Sequence, residues 1–118
     1  MLSNNEIAVF CEQSGMILES GLSMLEGISI MEADVEPQNT EYKKIYADIR
    51  ICLEETGIFH EALQRAGVFP DYVIQMAKLG EETGNLDVTM KGLAAYYERE
   101  ENTMQDIRSA ISYPLMIL

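Results

Sequence analysis

Few side chains in this sequence could carry out catalytic chemistry. His60 is the single histidine among 118 residues, and it stands beside Glu61 near the start of a short helical segment. A histidine in that position is typical of a helix surface rather than of a general base. No Cys–His or Ser–His pattern indicates a nucleophile, and no glycine-rich loop follows a strand to bind phosphate. The sequence therefore predicts that the chain is not an enzyme.

The two cysteines are predicted to be structural. Cys11 and Cys52 are the only cysteines, and each falls on the apolar face of a predicted helix. Two cysteines without metal-ligand spacing do not form a zinc site. We expect both to be small buried side chains in a reducing compartment.

Carboxylates cluster near the end of the chain, at Glu98, Glu100, Glu101 and Asp106. Glu98 and Glu101 are three residues apart, so they share one face of a helix. Two carboxylates on one face could hold a hard cation such as Ca²⁺, particularly if a second copy in a dimer supplied further oxygens. The alternative, which the sequence favours, is a solvated face. No cofactor is therefore predicted, and calcium at a dimer interface is kept as the less favoured alternative.

The charge balance excludes some partners. With 20 acidic and 8 basic residues, the net charge is -12. Nucleic-acid binding requires a basic surface, and so does a polybasic contact with anionic lipid. A basic protein partner would fit this charge, and so would a simple role in solubility.

Apolar residues recur at helical spacing in every segment, which predicts an all-α fold, an antiparallel bundle of about six helices. Ser3 and Ser23 each precede a glutamate by three residues, as in a capping box. An acid–hydroxyl–glycine motif ends a helix three times, at Gly21, Gly57 and Gly84. Pro70 is expected in the first turn of the fifth helix. That helix has a narrow polar stripe, so we expect it to be the most buried.

Glu81 and Glu82 are predicted to lie in the last turn of the fifth helix, before a positive φ at Gly84. Carboxylates there oppose the helix dipole at a cost of a few tenths of a kcal/mol. This local conflict suggests a role for the pair, such as a contact with a partner or with the start of the next helix. The alternative is that both are simply solvated.

The last residues are unusually apolar for a chain end. The segment 111–118 is far shorter than the roughly 20 apolar residues that cross a membrane. A span that continues beyond it would explain its composition. We therefore expect a cytoplasmic helical-bundle domain at residues 1–112 and the start of a truncated transmembrane helix at 113–118. The alternative is a C-terminal helix that packs into the core.

Several motifs resemble one known family. Phe69-Pro70, residues 80–86 (Gly-Glu-Glu-Thr-Gly-Asn-Leu), residues 93–98 and Tyr113-Pro114 resemble the F-family inner-membrane platform proteins of type II secretion and type IV pilus assembly. The resemblance covers nearly the whole chain and identifies it with the first cytoplasmic domain. Gly27, where alanine is expected, and Ser14-Gly15 depart from the family pattern. The motif residues carried over are Pro70, Gly80, Glu81, Gly84, Leu86, Tyr113 and Pro114.

The resemblance implies a location and partners. Members of this family have two homologous six-helix cytoplasmic domains, each followed by membrane helices, and no known catalytic activity. They lie at the bacterial inner membrane and couple a secretion or pilus-assembly ATPase to the insertion of pilin-like subunits. The resemblance also implies a homodimer. Apolar residues that lie outside the predicted buried faces of the helices support this (Val9, Met16, Ile51 and Tyr96). The acidic group from Glu98 to Asp106 is then the candidate surface for the ATPase. The alternative is a soluble helical adaptor that has no membrane link.

Overall fold

The computed structural model describes the backbone of residues 1–117 and the side chains of residues 1–102. Within that part of the chain all regular structure is helical, which confirms the predicted all-α bundle. The six helices are α1 (Asn4–Glu19), α2 (Met24–Asp34), α3 (Thr40–Thr56), α4 (Phe59–Ala66), α5 (Asp71–Thr83) and α6 (Leu86–Ile117).

The helices form a closed ring. Each helix packs against the next one along the chain, and α1 packs against α6, which is the most extensive contact of all. The turns between consecutive helices are short, which is typical of an antiparallel bundle. The prediction of an antiparallel bundle is confirmed.

An aromatic cluster forms part of the hydrophobic core. The ring centroid of Phe10 lies 4.9 Å from that of Phe69 and 6.3 Å from those of Tyr46 and Phe59. All four residues are buried, and they come from α1, α3, α4 and the α4–α5 turn. Aromatic pairs at such distances add to the stability gained from apolar burial. The cluster therefore joins elements that lie far apart in the sequence.

Two of the departures from the family pattern have a packing reason. A Cβ atom at Gly27 would lie 2.4 Å from Cγ2 of Ile17, so the glycine lets α2 approach α1 closely. A Cβ atom at Gly15 would lie 2.7 Å from Cγ of Lys91, where α1 meets α6. Each glycine weakens its own helix by up to about 1 kcal/mol relative to alanine. At both positions close helix packing opposes that cost.

The fifth helix is not the most buried, so that prediction is wrong. Only Val73, Ala77 and Gly80 of α5 are buried, while Tyr72 and Leu79 are 48% and 53% exposed. The contacts of α5 with α4 and α6 bury one narrow face of the helix, the one that carries Val73, Ala77 and Gly80. Its second apolar face therefore remains in solvent.

Both cysteines are buried and unpaired, as predicted. Burial raises the pKa of the Cys11 thiol to about 12. Cys11 therefore stays protonated at neutral pH and behaves as an apolar core residue.

The capping boxes at the starts of α1 and α2 are confirmed, and the first of them has an additional partner. Glu6 Oε1 accepts a hydrogen bond from the backbone N–H of Ser3 at 3.0 Å, and Oε2 accepts one from the Tyr42 hydroxyl on α3. These bonds, that from Tyr42 first, hold the pKa of Glu6 below its ordinary value. The carboxylate therefore links the start of α1 to α3.

The low pKa of Glu6 predicts a pH dependence of stability. A carboxylate whose pKa is lowered by folding stabilises the protein above its unfolded pKa of about 4.3, and this contribution is lost as pH falls through the folded pKa. We expect Glu6→Gln to lower the free energy of unfolding at pH 7 and to matter progressively less toward pH 3. Urea unfolding at several pH values would measure this. Tyr42→Phe should show the same trend, and a loss that is constant from pH 7 to pH 3 would contradict it.

The predictions for the C-terminal segment fall on side chains outside the described residues. These are Asp106, Tyr113 and Pro114, and the division between 1–112 and 113–118 also stays a prediction. In the part of the chain that the structure describes, no helix combines the length and apolar character needed to cross a membrane.

Candidate functional site

The family motif at residues 80–86 forms the junction between α5 and α6, here called the α5–α6 turn. Gly80 lies in the last part of α5, directly against the first turns of α6. A Cβ atom at Gly80 would be 2.7 Å from Oγ1 of Thr89 and 3.1 Å from the backbone Cα of Leu86. Real Cβ atoms essentially never lie 2.7 Å from another side chain, and 3.1 Å from the backbone is tighter than ordinary van der Waals contact. The motif therefore needs glycine here to bring two helices together.

Glu81 connects the α5–α6 turn to a third helix. Its Oε2 accepts a hydrogen bond from the backbone N–H of Phe59 at 2.7 Å, and its Oε1 accepts one from the backbone N–H of His60 at 2.7 Å. These are the first two residues of α4, whose N-cap residue Ile58 supplies no side-chain bond of its own. The Glu81 carboxylate thus performs the capping role that a serine or aspartate usually has.

This arrangement resolves the electrostatic conflict that the sequence suggested. A carboxylate in the last turn of α5 opposes that helix dipole, but the same carboxylate faces the positive N-terminus of α4. Glu81 therefore has a structural role. It contacts the start of α4, an earlier helix, and not the start of the next helix, α6. Glu82 is exposed, as the solvation alternative expects.

His60 completes the Glu81 contact. Its Nδ1 lies 2.8 Å from Glu81 Oε1, and the two side chains are only 19% and 21% exposed. A histidine–carboxylate pair is one part of a nucleophile-activating triad. Among the described residues, however, no hydroxyl or thiol is hydrogen-bonded to His60. The geometry supports the predicted position of His60 at a helix start. The His60–Glu81 pair has a structural role, because it holds the start of α4 against the end of α5.

The end of α5 has the expected left-handed glycine. Gly84 has φ of 75°, which confirms the predicted positive value. The N–H of Asn85 donates to the carbonyl of Gly80 at 2.8 Å, and the N–H of Gly84 donates to that of Glu81 at 3.4 Å. This pair of bonds defines a Schellman motif. Leu86 then packs against the core as the first residue of α6.

Pro70 lies at the other end of α5. It is the N-cap residue, one position before the first helical turn in which it was expected. Its carbonyl accepts hydrogen bonds from the N–H groups of Val73 and Ile74, at 3.1 and 3.3 Å. Phe69, just before it, is buried in the aromatic cluster. The Phe-Pro pair therefore joins the core to the start of α5.

The acidic group on α6 does not form a single face. Glu98 and Glu100 are exposed and Glu101 is partly buried. Glu98 lines a shallow groove between α1 and α6 together with Glu12 and Val9. Glu100 points about 160° away from Glu98 around the helix axis. The structure thus presents these carboxylates on two sides of α6, and the side chain of Asp106 is not among those described.

A cation site within one copy has no support in the described part of the chain, which contains no cluster of three or more side chains able to hold a metal ion. Calcium requires six to eight oxygens. Glu98 and Glu101 would therefore need further ligands from a second copy, and calcium at a dimer interface stays a prediction.

The apolar residues outside the predicted buried faces are exposed, as expected, but they do not form one continuous patch. Val9 and Met16 on α1 are 49% and 55% exposed. Ile51 on α3 is 43% exposed and lies beside Asp48 and Arg65. Tyr96 on α6 is 37% exposed and packs against Tyr72, with ring centroids 5.3 Å apart. These residues therefore offer several small apolar surfaces.

Comparison with known proteins identifies the family. The family model described as Type II secretion system (T2SS), protein F, matches residues 10–118. The chain belongs to the type II secretion system protein F family. The F-family match includes all of α2 to α5, the aromatic cluster and the α5–α6 turn, which confirms the interpretation of the sequence motifs.

Curated relatives in the F family come from both pili and secretion systems. The chain is 30% identical over 112 residues to the type IV pilus assembly protein PilC of Thermus thermophilus, covering 95% of this chain and 27% of the relative. It is 28% identical over 118 residues to PilC of Myxococcus xanthus, covering 99% and 28%. It is also 28% identical over 116 residues to the type II secretion system protein F of Xanthomonas campestris pv. campestris, covering 98% and 28%. The chain therefore spans little more than a quarter of the length of these relatives.

Proposed function

We propose that this chain is a non-catalytic cytoplasmic domain of an inner-membrane platform protein, which couples an assembly ATPase to the building of a pilus or pseudopilus. The family match over residues 10–118 is the observation that carries the proposal. Relatives over the same region are named for pilus assembly and for type II secretion. This favours a platform domain over a soluble adaptor without a membrane link.

The proposed coupling surface is the acidic group on α6. Glu98 and Glu100 are exposed, and the net charge of -12 favours encounter with a basic surface of the ATPase. The helix that carries them continues to Ile117. A continuous helix transmits rotation or tilt along its axis, so a partner bound at residues 98–101 would move the segment that we propose leads into the membrane. Pilin-like subunits and other inner-membrane components would then respond to that movement.

Charge reversal tests this surface. In a bacterium that carries the full-length protein, Glu98→Lys, Glu100→Lys and Glu101→Lys together are expected to abolish assembly of the pilus or secretion of the substrate, because a basic partner is repelled. Surface pili or secreted protein would be measured alongside protein abundance. The fold is expected to remain intact, because Glu98 and Glu100 are exposed and surface changes of this kind cost little.

The matched control carries the same three charge changes elsewhere, as Glu54→Lys, Glu55→Lys and Glu82→Lys. These exposed residues lie in the last turns of α3 and α5, where the helix dipole favours lysine. Glu54 and Glu55 lose exposed ion pairs with Arg50 and Arg65, which contribute little to stability. The control is expected to assemble normally. Normal assembly by an abundant, folded Glu98/Glu100/Glu101 variant would exclude the α6 surface.

We also propose that the domain forms a homodimer through one of its exposed apolar surfaces. Val9 and Met16 are seven residues apart on α1, so they lie on one face of that helix. Light scattering coupled to gel filtration is expected to give about twice the chain mass at high concentration, and Val9→Asp with Met16→Asp should restore the monomer mass. A monomer at all concentrations would contradict the homodimer.

A further inference from the structure

An exposed apolar surface extends over α5 and α6. Tyr72 and Leu79 are seven residues apart on α5, and Val88 and Tyr96 are eight residues apart on α6, so each pair lies along one side of its helix. The rings of Tyr72 and Tyr96 lie 5.3 Å apart, which joins the two sides at one end. At the other end, Gly80 lies directly against the first turns of α6. We call this continuous surface the α5–α6 face.

The α5–α6 face is large enough for a specific contact. Its four large side chains are between 37% and 68% exposed. Together they offer on the order of 400 Å² of apolar surface, at about 200 Å² for each side chain when fully exposed. A standard interface takes about 800 Å² from each partner, and a little over half of that area is apolar. The face therefore supplies the apolar area of one such interface.

Gly92 lies at the middle of the α6 side, four residues from Val88 and four from Tyr96. Every other glycine has a reason within the fold, either a positive φ or a close contact with another helix. Gly92 is helical and exposed, and a Cβ atom there would meet nothing within 4 Å. A glycine inside a helix weakens that helix relative to alanine, and the described domain gains no packing in return. A close approach from outside the domain would supply the missing reason.

The centre of the α5–α6 face carries no charged side chain. Lys91, next to Gly92, points away from the face and pairs with Glu19 of α1 at 2.8 Å. The charged residues at the borders of the face are of both signs: Asp71, Lys78, Glu82, Arg99 and Glu100. A strongly basic segment is therefore not its complement. The matching surface is an apolar stripe that carries charges only at its edges.

A helix of a different protein fits these features. An amphipathic helix places apolar residues every three or four positions along one side, which matches the face in shape and polarity. Helix axes usually pack about 8–10 Å apart, depending on the side chains at the contact, and glycine permits the closest approach. The homodimer proposed above uses α1, and a second self-associating surface would extend the assembly beyond a dimer. A different protein is therefore favoured over a second copy of this chain.

We propose that the α5–α6 face docks an amphipathic helix of another component of the pilus or secretion assembly, with Gly92 at the point of closest approach. The apolar side chains of the partner would contact Leu79 of α5 and Val88 of α6. The inference rests on the proposed function, because it assumes that the chain works within such an assembly. It does not depend on the acidic coupling surface of α6.

Cysteine labelling of the full-length protein tests whether the face is covered. Both native cysteines are buried, so added cysteines report the reaction with N-ethylmaleimide. The control is Ile30→Cys on α2, at a position that is 50% exposed. Relative to this control, Leu79→Cys and Val88→Cys should react at least about fivefold more slowly in assembling cells than in the purified full-length protein. Equal relative rates in the two settings would overturn the inference. A disulfide-linked dimer in oxidised membranes of a Gly92→Cys strain would also overturn it, because a second copy would then cover the face.

A larger side chain at Gly92 tests the close approach. Gly92→Gln in the full-length protein is expected to reduce pilus assembly or secretion by about tenfold or more, because the side chain keeps the partner helix away. The thermal stability of the domain should not fall, because glutamine favours the helix and meets no neighbour there. Ala33→Gln, at an exposed position of α2, is the matched control and should assemble normally. Normal assembly by an abundant Gly92→Gln protein would overturn the inference. The Glu98/Glu100/Glu101 lysine variant reports on the coupling function separately, so either proposal can fail without the other.

Discussion

Glu81→Ala is expected to lower the free energy of unfolding by about 2–3 kcal/mol, because hydrogen bonds to a charged group in a partly buried place are worth about 1.5–3 kcal/mol and their loss leaves donors unpaired. The donors are the backbone N–H groups of Phe59 and His60, each 2.7 Å from the carboxylate. Ile58 supplies no alternative cap for α4. Urea unfolding at pH 7 would measure the loss.

The matched control for Glu81 is its neighbour. Glu82 is exposed, and Glu82→Ala should change the free energy of unfolding by no more than about 0.5 kcal/mol. Glu81→Gln keeps one acceptor oxygen and should give an intermediate loss. Equal effects of the Glu81→Ala and Glu82→Ala substitutions would show that the α4 contact does not stabilise the fold.

Gly80→Ala is expected to lower the free energy of unfolding by about 1–3 kcal/mol, the usual cost of overpacking. The added methyl group would lie 2.7 Å from Thr89 Oγ1 and 3.1 Å from Leu86 Cα. Thr89 cannot rotate away freely, because its hydroxyl donates to the Asn85 carbonyl at 2.9 Å. Backbone at the start of α6 must move instead. Thermal unfolding followed by circular dichroism would report the loss.

Gly92→Ala is expected to have the opposite effect on stability, although Gly92 lies on α6, one of the same two helices. Gly92 lies inside α6, and a Cβ atom there would meet nothing within 4 Å. Alanine should therefore stabilise the domain by up to about 1 kcal/mol through helix propensity alone. If Gly80→Ala were also stabilising, the close approach of α5 and α6 would be wrong.

Local signals in the sequence were sufficient for the helices. Capping boxes at Ser3 and Ser23 and left-handed glycines at Gly57 and Gly84 act over a few residues, so their spacing alone predicts where helices begin and end. Helical periodicity also acts over a few residues, and it predicted the all-α fold for the same reason.

The role of Glu81 could not be predicted in the same way. Its partners, Phe59 and His60, are 22 and 21 residues earlier in the chain, and only the packing of α4 against α5 brings them together. One local sign was available, a carboxylate placed against its own helix dipole. The exposure of Tyr72 and Leu79 was missed because an apolar pattern does not reveal how much of a helix surface its neighbours cover.

The glycines divide in a similar way. Gly84 could be predicted from its position after the helix, whereas Gly80, Gly27 and Gly15 are required by side chains or backbone of other helices. At Gly27 the departure from the family pattern is the sequence feature that indicates such a contact. The acidic residues of α6 were recognised as a group, but which side of the helix each occupies depends on the packing of α1 against α6.

The most direct test of the proposed function is the binding of the assembly ATPase to the full-length protein. Surface plasmon resonance would compare the wild type, the Glu98/Glu100/Glu101 lysine variant and the Glu54/Glu55/Glu82 lysine control at several salt concentrations. We predict that binding weakens as salt rises, since screening acts over a Debye length of about 8–10 Å. We also predict that binding is lost only in the Glu98/Glu100/Glu101 variant. Equal binding by all three proteins would contradict coupling through α6.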